Sequence, residues 1–296
     1  MAAEDSAGAG GNPGGDAVSL IRVFPRRTRA TPDDALARFG PPDLLDEADE
    51  VHVSVTFTYD KAKAEQLAEQ WRHVAPVKIG GVAYGDTSLE FIPGRYLRPG
   101  YTITSRGCPR RCWFCSVPKK WPTVNLLPIY DGWNVLDDNL LACDRGHFES
   151  VIAMLRRQKL PENGRVEFSG GLEALSLQDW HVDMLASLKP RPNCFFAYDP
   201  GDAFETLESA ARRMLAAGFT AASHRLRTFV LVGYPKDTLA LAEARLRQMT
   251  SIGFTPFAML WRPETPSQQR YAPGPEWKRF QKMWARPAII HAQAAA

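Results

Sequence analysis

The chain has 296 residues, 45% apolar and 23% charged, with a net charge of +3. That supports one large or two smaller globular domains and is too little charge to imply nucleic-acid binding by itself. Five cysteines, three of them in one short loop, argue against a disulfide framework and for a reducing cytosol.

Residues 1–16 are small, polar and Gly-rich, and such a segment is expected to be disordered because it cannot bury enough apolar surface to offset its ordering entropy. It carries neither a basic n-region nor an apolar h-region, and no apolar run approaches bilayer length. The expectation is a cytoplasmic protein without membrane contact.

Residues 17–94 read as a small α/β domain. Val51, Val53, Val55 and Phe57 alternate as in a half-buried strand. Asp60 can cap a helix in which Leu67, Trp71 and Val74 recur at helical spacing. Val77–Ile79 then reads as a strand ending at Gly80-Gly81, and Ser19–Phe24 as a further strand. From residue 95 to 263 a strand–helix unit repeats about every thirty residues, the size of a βαβ step. The strands are Tyr101–Ser105, Trp133–Leu136, Arg165–Ser169, Cys194–Tyr198, Thr228–Val232 and Pro256–Trp261. The helices are Phe148–Gln158, Gln178–Leu188, Phe204–Ala217 and Leu239–Ile252, with Gly218 as a stop signal. Such alternation predicts parallel strands with right-handed crossovers. Residues 264–296 read as a C-terminal helix and tail. Trp277-Lys278-Arg279-Phe280-Gln281-Lys282-Met283-Trp284 alternates aromatic and basic residues, as in an amphipathic helix closing one side of the domain or lying on nucleic acid.

The first repeat contains Gly107-Cys108-Pro109-Arg110-Arg111-Cys112-Trp113-Phe114-Cys115. A shuffled chain with five cysteines shows the C-x3-C-x2-C spacing on the order of once in a thousand times. Three thiolates this close must face one point, so a shared metal is the economical reading. A cubane usually takes four thiolates. The loop offers Cys108, Cys112 and Cys115 and no fourth Cys, His, Asp or Glu, so one iron would keep an open position. A zinc site is the alternative, although zinc modules usually draw ligands from two separated pairs.

The spacing, with an aromatic residue before the last cysteine, resembles the signature of the radical S-adenosylmethionine (SAM) superfamily. The resemblance covers about residues 95–263. It implies an α/β fold, a partial (β/α)6 barrel preceded by a small Rossmann-like α/β segment. It implies a [4Fe–4S] cluster on the three cysteines, and SAM chelated to the open iron and reductively cleaved to a 5′-deoxyadenosyl radical. It also implies an electron donor such as flavodoxin or ferredoxin, and Phe114 beside the adenine.

In parallel α/β folds ligands sit at the C-terminal strand ends. The second strand ends in Asp137-Asp138-Asn139, resembling cobalamin-dependent members of the superfamily. At least one of the two acids is expected to meet SAM or substrate, the other reading being that Asp138 or Asn139 caps the next helix. The third ends in Ser169-Gly170-Gly171-Leu172-Glu173, similar to the superfamily's Gly-Gly-Glu motif but with Leu172 interposed and one strand later than usual. Gly170 and Gly171 would admit a ligand, and Glu173 is a candidate SAM ligand. The resemblance implies that Tyr198-Asp199, at the fourth strand end, lies where side chains of the superfamily tend to meet the ribose, and that Gly233 lies in a turn similar to the superfamily's turn along the adenine; Asp237 or Thr238 can cap the following helix. Arg262 at the sixth strand end could reach a carboxylate or phosphate. Basic Arg106, Arg110, Arg111, Lys119 and Lys120 surround the cysteine loop. Cys143 follows the second strand and reads either as a hydrogen-atom donor or as a buried inert thiol, and Cys194 falls at the opposite end of its strand.

An N-terminal α/β segment before such a core resembles the layout of cobalamin-binding members. The segment is short and lacks an Asp-x-His-x-x-Gly loop, so bound cobalamin is not expected. The substrate is not readable from the chain. A cobalamin-dependent methyltransferase and a non-catalytic metal- or nucleic-acid-binding protein are the alternatives.

Overall fold

The fold is given by a computed structural model that describes residues 19–162, 164–263 and 265–285. The expected tail at 1–16, Glu264 and the Ala-rich end lie outside them. The described residues form two compact units: one takes residues 19–27 and Asp33–Tyr84, the other Thr28–Pro32 and the described residues from Gly85 on.

The first unit is a four-stranded parallel sheet in the order β2-β1-β3-β4. Its elements are β1 (Leu20–Val23), β2 (Ala37–Arg38), β3 (Glu50–Ser54), α1 (Lys61–Trp71) and β4 (Val77–Gly80). The alternation of Val51, Val53 and Val55 places one face of β3, with Ile21 and Val23, against Ala64, Leu67, Ala68 and Trp71 of α1. The strand stops before Phe57, which is partly exposed and stacks on Tyr59 with ring centres 5.2 Å apart. Asp60 stands at the expected cap position, but its carboxylate makes no cap bond: both oxygens accept from Arg26 at 2.8 Å. Gly81 has φ +105°, and a Cβ there would lie 2.8 Å from the Val55 carbonyl oxygen, so the turn after β4 requires glycine.

The second unit contains β5 (Tyr101–Thr102), β6 (Ser105–Arg106), α2 (Val117–Lys120), β7 (Asn125–Leu126), β8 (Asn134–Val135), α3 (Arg145–Arg157) and β9 (Glu167–Leu172). These are followed by α4 (Asp179–Ser187), β10 (Asn193–Tyr198), α5 (Phe204–Ala216), β11 (Leu226–Val232), α6 (Leu239–Ser251), β12 (Thr255–Leu260) and α7 (Pro275–Trp284). Strands β5, β8, β9, β10, β11 and β12 form one six-stranded sheet, all parallel and in chain order. Crossovers of one hand between consecutive parallel neighbours would carry their helices to one face of the sheet, and α3, α4, α5 and α6 share a single core with it. There Phe168, Phe196, Val230 and Ala258 pack with Phe148, Leu185, Met214 and Met249 from the four crossover helices. The four helices lie within three residues of their expected ends, and Gly218, at φ +87°, ends α5 through the bond from its N–H to the Leu215 carbonyl.

Two strands depart from the pattern for visible reasons. The first is cut to Tyr101–Thr102 because the chain leaves the sheet. Ser105-Arg106 instead pairs antiparallel with Asn125-Leu126, a short ribbon whose connection is the cysteine loop. The third runs on to Leu172 through its glycines: Phe168 faces Cys194 and Leu172 faces Phe196, so three residues, Ser169-Gly170-Gly171, bulge against Phe195 alone. At the C-terminus, α7 buries Phe280 and Trp284 and packs on β12 and α6, leaving Lys278, Arg279 and Lys282 exposed. Among the described residues no helix is long and apolar enough to cross a membrane.

Candidate metal and cofactor site

The cysteine loop is closed at its base. Cys108 N–H donates to the Trp121 carbonyl at 3.1 Å, and Cys115 N–H to the Cys112 carbonyl at 3.1 Å. Gly107 has φ +103°, and a Cβ there would stand 2.0 Å from the Thr123 carbonyl oxygen, so no other residue fits where the ribbon opens. The loop thus leaves the C-terminal end of β5 and holds three partly exposed thiols. Burial raises the Cys115 thiol to about 11, and the nearness of Cys112 and Cys108 adds to the rise. Burial also raises Cys112, while a hydrogen bond from Arg110 pulls it back.

Every other strand end sends a residue to this loop. From β8, Asp138 accepts from Gly107 N–H at 2.8 Å and from Arg106 at 3.3 Å, and Asn139 Nδ2 lies 3.4 Å from Cys108 Sγ. Asn139 Oδ1 is buried with no protein partner. From β9, Glu173 meets Arg110 at 3.1 Å, and from the turn after β10, Asp202 meets the same guanidinium at 2.6 Å. From β11 and β12, Tyr234 and Trp261 lie against Trp113, with ring centres 6.2 and 6.3 Å apart. Trp113 also meets Phe114 edge-to-face at 5.5 Å and is 48% exposed.

The paired acids after β8 do different things. Asp137 is 2% exposed. Its carboxylate accepts from Thr104 N–H (2.6 Å), Thr104 Oγ1 (2.6 Å) and Ser105 Oγ (2.7 Å), and Thr104 Oγ1 is also 3.1 Å from His147 Nε2. Burial raises this carboxyl, and the hydrogen bonds from Thr104 and Ser105 oppose the rise. Asp137 is therefore a brace between β8 and the foot of the cysteine loop, while Asp138 faces the loop itself. Neither Asp138 nor Asn139 caps α3; Asp144 does, accepting from His147 N–H at 2.9 Å. Ligand atoms of Asp137, Cys143 and His147 lie within 4.8 Å of one another. A metal there would have to displace the Thr104 N–H, which the backbone aims at Asp137, so the group reads as a hydrogen-bonded network. Cys143 is buried within it, raised to about 11 mainly by burial and held as a neutral thiol.

The glycines also divide. A Cβ on Gly170 would fall 2.2 Å from the Asp137 carbonyl oxygen, so this glycine lets two backbones approach, whereas Gly171, at φ +106°, faces open space. Gly233 N–H donates to Asp237 at 2.9 Å, and its α-carbon packs beside Leu260 and Trp277. Asp237 is occupied by that bond and by Arg245, so Thr238 caps α6. Tyr198 is buried, with its hydroxyl 3.2 Å from Gln248 Oε1. The next residue, Asp199, joins the Arg110 cluster, and Arg262 is exposed.

Asp202, Tyr234 and Trp113 were not legible as site residues. The one sequence signal was Asp199-Pro200-Gly201-Asp202, a turn directly after a strand, in which Asp199 N–H donates to Asp202 Oδ2. Glu173, Asp199 and Asp202 surround a single cation, Arg110. Burial raises Glu173. Asp199 is raised to about 7 by burial first and by Asp202 and Glu173 next, with Arg110 opposing. A carboxyl so raised favours folding fully below its unfolded pKa of 3.8, and that contribution is lost as pH rises through about 7. The stability advantage of Asp199→Asn over the parent should therefore grow between these values and level off above them, by at most about 4 kcal/mol. Urea titrations across that range measure it, and parallel pH curves for the two proteins would remove Asp199 from the titration.

No protein-family model matches the chain, and no curated protein matches it.

Proposed function

We propose that this chain is a radical SAM enzyme acting on a substrate still to be identified, with its second unit folded as a partial (β/α)6 barrel. The observation that carries the reading is the C-x3-C-x2-C loop at the C-terminal end of the first strand of a chain-ordered parallel sheet, in contact with a residue from each of the other five strand ends. In a flat sheet strands one and six would lie about 24 Å apart. Contact of one short loop with both the second and the sixth strand ends favours a curled sheet. The face opposite the helices points the same way. It carries Phe195, Phe229 and Phe257, with ring centres 4.9 and 6.1 Å apart in sequence, and curling would shield these rings.

The donor set fits a cubane. Cys108, Cys112 and Cys115 would supply three thiolates to such a cluster, and the loop itself holds no fourth Cys, His, Asp or Glu. When bound, the cluster supplies the electron, drawn from a flavodoxin- or ferredoxin-type donor, that cleaves SAM to the 5′-deoxyadenosyl radical. Phe114 lies beside the thiols for the adenine. Asp138, Glu173 and Asp202 present carboxylates for the methionine ammonium, and Arg110 a cation for its carboxylate. The first unit has no Asp-x-His-x-x-Gly loop and is read as free of cobalamin.

Protein reconstituted anaerobically with iron and sulfide should hold about four of each and absorb broadly at about 400 nm. On reduction with dithionite it should release 5′-deoxyadenosine and methionine from SAM. Stoichiometric zinc without sulfide, or a cluster that leaves SAM intact under reduction, overturns the proposal.

A further inference from the structure

Between β2 and β3 the chain runs Pro41-Pro42-Asp43-Leu44-Leu45-Asp46-Glu47-Ala48-Asp49. Leu44 and Leu45 are 104% and 92% exposed, the two most exposed large apolar side chains among the described residues. They occupy the middle of a β-turn in which Asp46 N–H donates to the Asp43 carbonyl at 3.2 Å. The turn is braced. The Asp46 carboxylate accepts Asp43 N–H at 2.9 Å, and its other oxygen takes two bonds from Arg38 at 2.9 and 2.7 Å. Turn tips favour Gly, Asn, Asp and Ser because these satisfy turn geometry and water together. A preformed turn that holds adjacent leucines wholly in solvent has paid its ordering entropy in advance, which is what a docking element gains from rigidity.

The surroundings say what kind of surface would take it. Asp43, Glu47 and Asp49 are exposed beside the leucines, so an anionic lipid surface or an acidic protein is disfavoured. A complementary surface exists on this same chain. The exposed side of α7 and the turn before it presents Arg270, Lys278, Arg279 and Lys282, together with Tyr271 and Met283, which are partly exposed apolar side chains. We propose that the Leu44–Leu45 turn of one copy docks on the α7 surface of a second copy. Each copy carries one turn and one α7 surface, so a contact made in both directions is made twice. Two such turns and the surfaces they cover reach roughly the 1,200 Å² at which specific interfaces begin, so a reversible dimer of micromolar strength is expected. The inference is independent of the reading of the cysteine loop.

Sedimentation velocity of the full chain over roughly 1–100 µM tests it, this being the range a small interface demands. The parent should shift from monomer to dimer. Leu44→Ser with Leu45→Ser should weaken association at least tenfold while leaving the melting temperature unchanged. Asp43→Lys with Glu47→Lys should weaken it, as should Lys278→Glu with Lys282→Glu, and mixing these two charge-reversed proteins should restore at least one of the two turn–helix contacts. A parent that stays monomeric throughout overturns the proposal. So do a dimer indifferent to the leucines, charge-reversed proteins that fail to recover on mixing, and leucine-dependent binding to phosphatidylcholine vesicles without self-association.

Discussion

Cys112→Ala should purify without iron or sulfide and cleave no SAM, whereas Cys194→Ala should keep both cluster and cleavage. Cys112 stands in the middle of the loop, partly exposed, with the Arg110 guanidinium beside its sulfur. Its removal leaves two thiols, too few to hold a cubane against loss of iron. Cys194 lies at the start of β10 at 0% exposure, and burial alone pushes its thiol far above the ordinary range, so it stays protonated and cannot serve as a replacement ligand. The substitution at Cys194 should cost only about 1 kcal/mol for the small cavity it leaves. Iron and sulfide content with single-turnover SAM cleavage provides the measurement. A Cys112→Ala protein that keeps a full, SAM-responsive cluster would sink the assignment of this loop.

Asp137→Ala should strongly destabilise the second unit while leaving the cysteines in place. Three donors, Thr104 N–H, Thr104 Oγ1 and Ser105 Oγ, end on one buried carboxylate. The hydroxyls can turn toward other acceptors, but the Thr104 N–H cannot. An orphaned buried donor costs about 1–3 kcal/mol, and the lost hydroxyl bonds add about as much again. A total of roughly 3–5 kcal/mol corresponds to a fall of about 8–15 °C in melting temperature for a unit of this size. The foot of the cysteine loop should loosen with it, so iron uptake should fall as well. Asp138→Ala, which removes a partly exposed carboxylate and its bonds from Gly107 N–H and Arg106, should lower the melting temperature by about 2–4 °C at most. A melting temperature for Asp137→Ala within 2 °C of the parent's would show that Asp137 is not the brace described.

The contrast between these two neighbours marks where reading the chain stopped. Adjacent residues at a strand end point to opposite sides, so only one of Asp137 and Asp138 could face the loop. Which one depends on the register of β8 against β5, where Tyr101 sits opposite Asn134 and Thr102 opposite Val135. Two-residue strands carry no alternation from which to read that register. Gly170-Gly171 raised a similar difficulty. A glycine pair announces close approach without saying to what, and here Gly170 approaches the Asp137 backbone while Gly171 alone faces open space.

What the sequence determined by itself are the local features. These are the periodicities that give most of the longer strands and helices, the strand–helix alternation that leads to parallel pairing, the Gly218 stop after α5, and the spacing of three thiols in one loop. Each depends on residues a few positions apart, because side-chain period and turn chemistry act over that range. Only the tertiary structure decided that Arg110 lies between Glu173 and Asp202, residues 63 and 92 positions further along the chain. It also decided that Trp113 rests against Tyr234 and Trp261, and that His147 joins Thr104 and Asp137. Those meetings follow from strand order and from core packing on the helix side of the sheet, which bring distant strand ends together. No local pattern encodes them, since the free energy that selects them comes from apolar area buried elsewhere in the molecule.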